Sequence, residues 1–241
     1  MQNETSSDTS NLESKVRDVV EQGQDVQEKV RQLTLSIIGT RSLDIKSLQQ
    51  TADAVLRGAR AGVEHKMQQT TEQTGSAREH LKQAVSGLEV ALAQLAEAAK
   101  LAVEEAAGRA QKYSSDDLKR ARDDLEKLEK MFLETLQSAS SGARDAAGEI
   151  LHDMAAHTRT HGSAIGAQLK ETLSVIAHQI GAAGRAQVGV GLHLARNTTD
   201  MLRQIAAGVL TGMADHIKPG QSSGQSPGQH KDSGYSQDKA E

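Results

Sequence analysis

The sequence predicts an all-α protein built from long amphipathic helices, in an elongated antiparallel hairpin or helical bundle with coiled-coil-like packing. Three observations carry this. The chain has 241 residues and only two prolines, Pro219 and Pro227, so the first 218 residues contain none. Proline lacks an N–H and clashes with the preceding helical turn, so a long proline-free stretch rich in Ala, Gln, Glu, Lys, Arg and Leu favours helix. Apolar residues recur at three- and four-residue spacing along most of that stretch. Finally, aromatic residues number three, Tyr113, Phe132 and Tyr235. Aromatics supply much of the buried area in a thick core. A core made of Leu, Val, Ile, Met and Ala is thin and suits paired helices.

Residues 1–9 are short and polar and read as a disordered N-terminal tail. Ser10 with Glu13 fits a capping box, in which two side chains satisfy free N–H groups at a helix start. A first helix over about 10–38 follows, with a stripe of Leu12, Val16, Val19, Gly23, Val26, Val30, Leu33 and Ile37. Gly39 and Thr40 mark its stop. A second tract over about 43–112 starts near Ser42 or Asp44, with Leu48, Ala52, Val55, Ala59 and Val63 on its stripe. The polar run 68–74, then Gly75 and the Ser76/Glu79 capping pattern, leaves open whether this tract is continuous. From Leu81 the heptad resumes through Val85, Leu88, Leu92, Leu95, Ala99, Ala102 and Ala106.

Tyr113 to Asp117 forms the clearest internal boundary, since Ser and Asp cap a helix start and offset its positive dipole end. A third tract spans about 116–180. Its stripe runs from Ala121 through Leu125, Leu128, Phe132 and Leu136 to Ile150, Met154, His157, His161, Ile165, Leu169, Leu173 and Ile176. The mean step is about 3.67 residues, close to an 11-residue repeat and to little supercoiling. Continuity near Gly142 is left open. A last helix over about 192–217 carries Leu194, Met201, Leu202, Ile205, Val209, Met213 and Ile217. Residues 10–217 thus read as a single elongated helical domain. In the hairpin version, each long arm measures about 100 Å at a rise of about 1.5 Å per residue. A split of either arm gives a shorter five- or six-helix bundle. Residues 218–241 are rich in Pro, Gly, Ser and Gln and read as disordered.

Composition narrows the function classes. Lys and Arg total 28, Asp and Glu total 32, and the net charge is −4 with signs interleaved. No strong basic field points to nucleic acid. With no cysteine, thiol, disulfide and Fe–S chemistry are absent. The N-terminus lacks a secretory pattern, and no apolar run suits a membrane span, so a cytoplasmic protein is expected. Residues 164–218 carry five basic and three acidic residues, which makes them mildly cationic and the most apolar region. An amphipathic segment of this kind either packs inside the bundle or an oligomer, or lies on a lipid or granule surface.

Three GxxxG pairs stand out as helix-packing candidates: Gly58/Gly62, Gly162/Gly166 and Gly208/Gly212. Small residues one turn apart let helix backbones approach closely. His157 and His161 sit at i,i+4, a spacing that places two imidazoles on one metal. The residues between them lack the glutamate of a zinc-protease helix, so the preferred reading is a polar layer in the helix seam, with an exposed pair and a metal or pH-sensing site as the alternatives. Two GxSxG matches, at 220–224 and 224–228, fall in the Gly/Ser tail without the strand–turn–helix context a nucleophile elbow needs. No catalytic residues, cofactor or small-molecule substrate are expected.

The segments Leu101–Arg109 (LAVEEAAGR), Asp117–Leu125 (DLKRARDDL) and Met131–Leu136 (MFLETL) resemble a family of uncharacterised bacterial helical proteins. The resemblance covers about residues 12–217. It implies a bacterial source and a helical fold and transfers no site residue. The low-aromatic, Ala- and Gln-rich helices also look like phasins, which coat polyester storage granules; that similarity is compositional. The expected function is a non-enzymatic structural or interaction protein that acts through helical surfaces, self-associating or binding partner helices. The alternatives are peripheral binding to a lipid or storage-granule surface, and a stress-protective helix former.

Overall fold

A computed structural model describes residues 2–40, 44–69, 74–108, 115–141 and 146–186. Among them lie seven helices and no strand: α1 (Gln2–Gln22), α2 (Val26–Thr40), α3 (Ile45–Gln69), α4 (Thr74–Gly108), α5 (Ser115–Ser141), α6 (Ala146–His161) and α7 (Ala164–Ala186). The expected helix over 192–217 and the tail over 218–241 lie outside the described residues.

The expected first helix is two helices. Gly23 and Asp25 both take left-handed backbone conformations, with φ of 71° and 50°. Glycine adopts that region without a Cβ penalty, and Asp tolerates it better than most residues. Hydrogen bonds close the helices on either side, from Gly23 N to Val19 O and from Lys29 N to Asp25 O. The chain reverses there. If α2 continued along α1, its end could not reach the start of α3, because the five Cα steps from Thr40 to Ile45 span at most about 19 Å. Within α1 Val20 rather than Val19 is fully buried; beyond the reset Leu35 and Ile38 are buried more deeply than Leu33 and Ile37, which pack partly buried against the core.

At the N-terminus the helix begins at Gln2 rather than Ser10. Ser10 lies inside α1, where its carbonyl accepts from Ser14 Oγ. Once Leu12, Val16 and Val20 anchor the helix, each added turn needs only ordinary propensity, and residues 2–9 contain neither Gly nor Pro. Asp44, in contrast, caps α3 as expected: its Oδ1 accepts from Ser47 N at 2.9 Å.

The tracts over 43–112 and 116–180 are each divided. α3 and α4 pack on each other on either side of residues 70–73, and α5 and α6 do so on either side of 142–145. Cross-helix contacts fix directions. Glu13 meets Arg57 and Glu21 meets Lys66, so α1 and α3 are parallel. Arg31 meets Gln94 and Gly23 meets His80, so α2 and α4 are parallel. Arg159 meets Gln137 and Ser163 meets Glu129, so α6 runs antiparallel to α5. After a break at Gly162 (φ 84°), α7 runs parallel to α4. The bundle is therefore three helical hairpins, with α6 and α7 together forming the return arm of the third. Among the described residues no arm of 100 Å occurs; α4, the longest described helix at 35 residues, measures about 52 Å.

α4 is central and packs against α2, α3 and α7. Its burial is correspondingly wide: Leu81, Val85, Leu88, Leu92 and Leu95 are joined by Ala77, Ala84, Ala91, Ala96 and Ala98. Phe132, on α5, is the largest fully buried side chain among the described residues. Four buried threonines stay compatible with helix by donating to the carbonyl one turn back: Thr34 to Val30, Thr51 to Ser47, Thr135 to Met131 and Thr172 to Gln168. Thr172 also lies 3.1 Å from Ala96 O of α4.

Candidate functional site

The expected glycine pairs have three different fates. Gly58 and Gly62 face α1. A methyl group at Gly62 would lie 2.7 Å from the Arg17 carbonyl oxygen and 2.9 Å from Val20 Cβ. At Gly58 it would meet the Glu13 carbonyl oxygen and stand 3.1 Å from Val16 Cβ. One turn of α1 thus lays successive carbonyls over successive glycines of α3, a geometry that Cα–H···O contacts favour. Gly87, which has no GxxxG partner, does the same on α4: its missing Cβ makes room for the Gln27 carbonyl oxygen and Val30 of α2. Gly162 instead supplies a turn, and nothing lies within 4 Å of where its Cβ would be. Gly166 makes room for the Glu129 carboxylate. Gly208 and Gly212 lie outside the described residues.

Polar side chains gather at the end of the bundle where the α1–α2 turn meets α3 and α4. Lys66 Nζ donates to the Glu21 carbonyl oxygen at 3.2 Å and stands 3.3 Å from His80 Nδ1. His65 Nδ1 lies 3.1 Å from the Glu21 carboxylate. The His80 ring fills the space left by the absent Gly23 side chain. Burial lowers the His80 pKa, and the neighbouring Lys66 charge adds to this, against a backbone hydrogen bond with Val20. Both effects favour the neutral imidazole that packs against Gly23.

Arg31 is 4 % exposed and joins α2 to α4. Its guanidinium grips both carboxylate oxygens of Glu28 at 2.8 and 2.5 Å and donates to Gln94 Oε1 at 2.8 Å. The bond to Arg31 pulls the Glu28 pKa down. Asp53 on α3 shifts upward because burial disfavours its charge, which Arg57 only partly offsets.

The start of α7 is capped by three elements. Ser163 Oγ accepts from Gly166 N at 2.8 Å and donates to Glu129 of α5 at 2.6 Å. Glu89 of α4 accepts from Ala164 N at 2.6 Å. These bonds satisfy free N–H groups and place carboxylates at the positive helix end. Beside this junction, Glu126, Glu129, Lys130, Leu133, Glu134, Gln137 and Arg159 line a surface groove of about 390 Å³. Its charged groups already pair, Glu126 with Arg122, Lys130 with Glu134 and Arg159 with Gln137.

His157 and His161 do not form a seam layer. Both are exposed on the last turn of α6, whose buried face runs through Ala147, Leu151 and Ala155. Their rings stack with centroids 4.2 Å apart, and His161 Nδ1 lies 3.1 Å from the His157 carbonyl oxygen. Among the described residues, no group of three or more His, Cys, Asp or Glu is placed to hold a metal ion.

Among the described residues, the large apolar side chains turn into the bundle, fully or in part. Among the described residues, Leu101 is the one exposed large hydrophobic side chain, at 39 %. No described helix is long and apolar enough to cross a membrane.

The model of DUF6781, a family of unknown function, matches residues 2–219, and the chain belongs to that family. No curated protein and no solved structure gives a significant match.

Proposed function

We propose that this chain is a non-enzymatic interaction protein: a helical bundle that carries its binding element in the C-terminal segment 192–217 and self-associates through it. One contrast supports the reading. Residues 12–176 hide their large apolar side chains from solvent, Leu101 excepted among the described residues. Residues 192–217 still bring Leu194, Met201, Leu202, Ile205, Val209, Met213 and Ile217 at helical spacing. Charged groups beside the α7 junction serve caps and ion pairs: Glu89 and Glu129 cap the start of α7, and in the groove next to it Glu126 pairs with Arg122 and Lys130 with Glu134. A bacterial cytoplasmic setting fits this reading.

The test is sedimentation velocity on the full chain and on a Leu202→Glu/Val209→Glu variant. The wild type should form a defined oligomer, and the variant should be monomeric with unchanged far-UV circular dichroism. A wild type that stays monomeric at tens of micromolar sinks the self-association reading.

A second reading is favoured by the charge of the same region. Residues 164–218 hold Lys170, Arg185, Arg196, Arg203 and Lys218 against Glu171, Asp200 and Asp215. A cationic, apolar segment suits peripheral binding to an anionic lipid or granule surface. Flotation with anionic vesicles separates the two readings, since wild-type protein that binds them and a double variant that does not would favour the surface. The third possibility, helix formed only on drying, is tested by circular dichroism, since full helicity in dilute buffer would exclude it.

A further inference from the structure

We propose that His157 and His161 form a two-imidazole surface site for a borderline divalent transition cation of the Cu²⁺, Ni²⁺ or Zn²⁺ class. Imidazole nitrogen suits these metals better than Mg²⁺ or Ca²⁺, which prefer oxygen. Four observations converge. The two residues are one helical turn apart, and their ring centroids lie 4.2 Å from each other. A cation bonded to one nitrogen of each ring at about 2.0–2.1 Å bridges donors up to about 4 Å apart. The stacked rings must turn before their in-plane lone pairs meet on one cation; both side chains are exposed, and water reaches the remaining positions. The third observation concerns the tautomer. With the His157 carbonyl as acceptor, His161 Nδ1 carries the ring proton. Its Nε2 lone pair is then free, the arrangement in which a backbone carbonyl orients a metal-bound histidine. The fourth is position. The pair ends α6, where the helix dipole is negative and favours a cation.

Two protein ligands make an open site. Asp153 lies one turn before His157 on the exposed side of α6, but the described residues include no ready three-ligand cluster. Water or a donor from a second molecule would complete the coordination. A cation held here would tie the last turn of α6 beside the Gly162 break, where α7 departs.

The test is calorimetric titration of the untagged full chain with Cu²⁺, Ni²⁺ and Zn²⁺ at pH 7.5. The expected result is one equivalent bound, with Cu²⁺ tightest. His157→Ala or His161→Ala should each weaken binding at least tenfold, whereas His152→Ala and His178→Ala should not. An Arg159→His/His161→Ala variant keeps the number of imidazoles but puts the pair at i,i+2, on different faces of the helix, so it should be as weak as His161→Ala. Circular dichroism confirms that each variant is folded. The proposal is overturned if the wild type binds none of the three ions, if His157→Ala or His161→Ala binds as well as the wild type, or if the i,i+2 variant keeps full affinity.

Discussion

Replacing single glycines by alanine should give opposite signs at Gly58 and Gly181, although both lie inside helices. Alanine favours a helix interior by about 1 kcal/mol over glycine. At Gly181 nothing lies within 4 Å of the added methyl, so that gain should appear almost whole. At Gly58 the methyl meets the Glu13 carbonyl oxygen and stands 3.1 Å from Val16 Cβ. A backbone carbonyl cannot swing away as a side chain can, so α1 must shift off α3. Overpacking of this kind costs about 1–3 kcal/mol. Net of propensity, Gly58→Ala should destabilise by up to about 2 kcal/mol, so the two variants should differ by about 1–3 kcal/mol. Gly166→Ala belongs between them, because its neighbour is the end of the flexible Glu129 side chain, which must give up Ser163 to move. Urea unfolding followed by circular dichroism at one fixed pH measures all three. If Gly58→Ala stabilised the protein as much as Gly181→Ala, the close approach of α1 to α3 would be refuted.

Two further outcomes follow from the core and the turn cluster. Phe132→Ala should cost about 3–5 kcal/mol in the same assay, because a fully buried ring leaves a cavity among aliphatic neighbours; a loss below about 1 kcal/mol would show that α5 is not packed as described. His80 should make the protein less stable as pH falls. Its folded pKa lies below the unfolded value of about 6.5, so the unfolded chain takes up the proton first and stability declines from about pH 7 downward. His80→Gln should flatten that part of the pH profile, and an unchanged slope in the variant would count against the assignment.

Local signals in the sequence were strong where one residue decides a structure. Asp44 caps α3, Thr40 ends α2, and Gly58 with Gly62 admits a neighbouring helix, as their types and spacing imply. The apolar stripe of α4 from Leu81 to Leu95 also appears as written. Periodicity misled where it was carried across a reversal. The regular step from Phe132 to Ile165 crosses both the α5–α6 reversal and the Gly162 break, and each resets helical phase. His157 and His161 therefore land outside while Leu151 and Ala155 turn inward. Gly87 gave no paired-glycine signal because Gln83 and Ala91, not glycines, stand one turn to either side of it. The packing of His80 on Gly23 joins residues 57 positions apart, which no local pattern encodes.

The reversals of this bundle are made without proline, and this bears on how quickly it can form. Uncatalysed X–Pro isomerisation takes tens of seconds and often limits refolding. Here the bonds that undergo it precede Pro219 and Pro227, beyond every described helix. A chain unfolded for hours should consequently refold as fast as one unfolded for a second. Its remaining kinetic hurdle is docking the three hairpins on one another, across sequence separations that run from 44 residues for Glu13 and Arg57 to 76 for Ala96 and Thr172. That search, rather than peptide-bond geometry, would set the time from a released chain to a finished bundle.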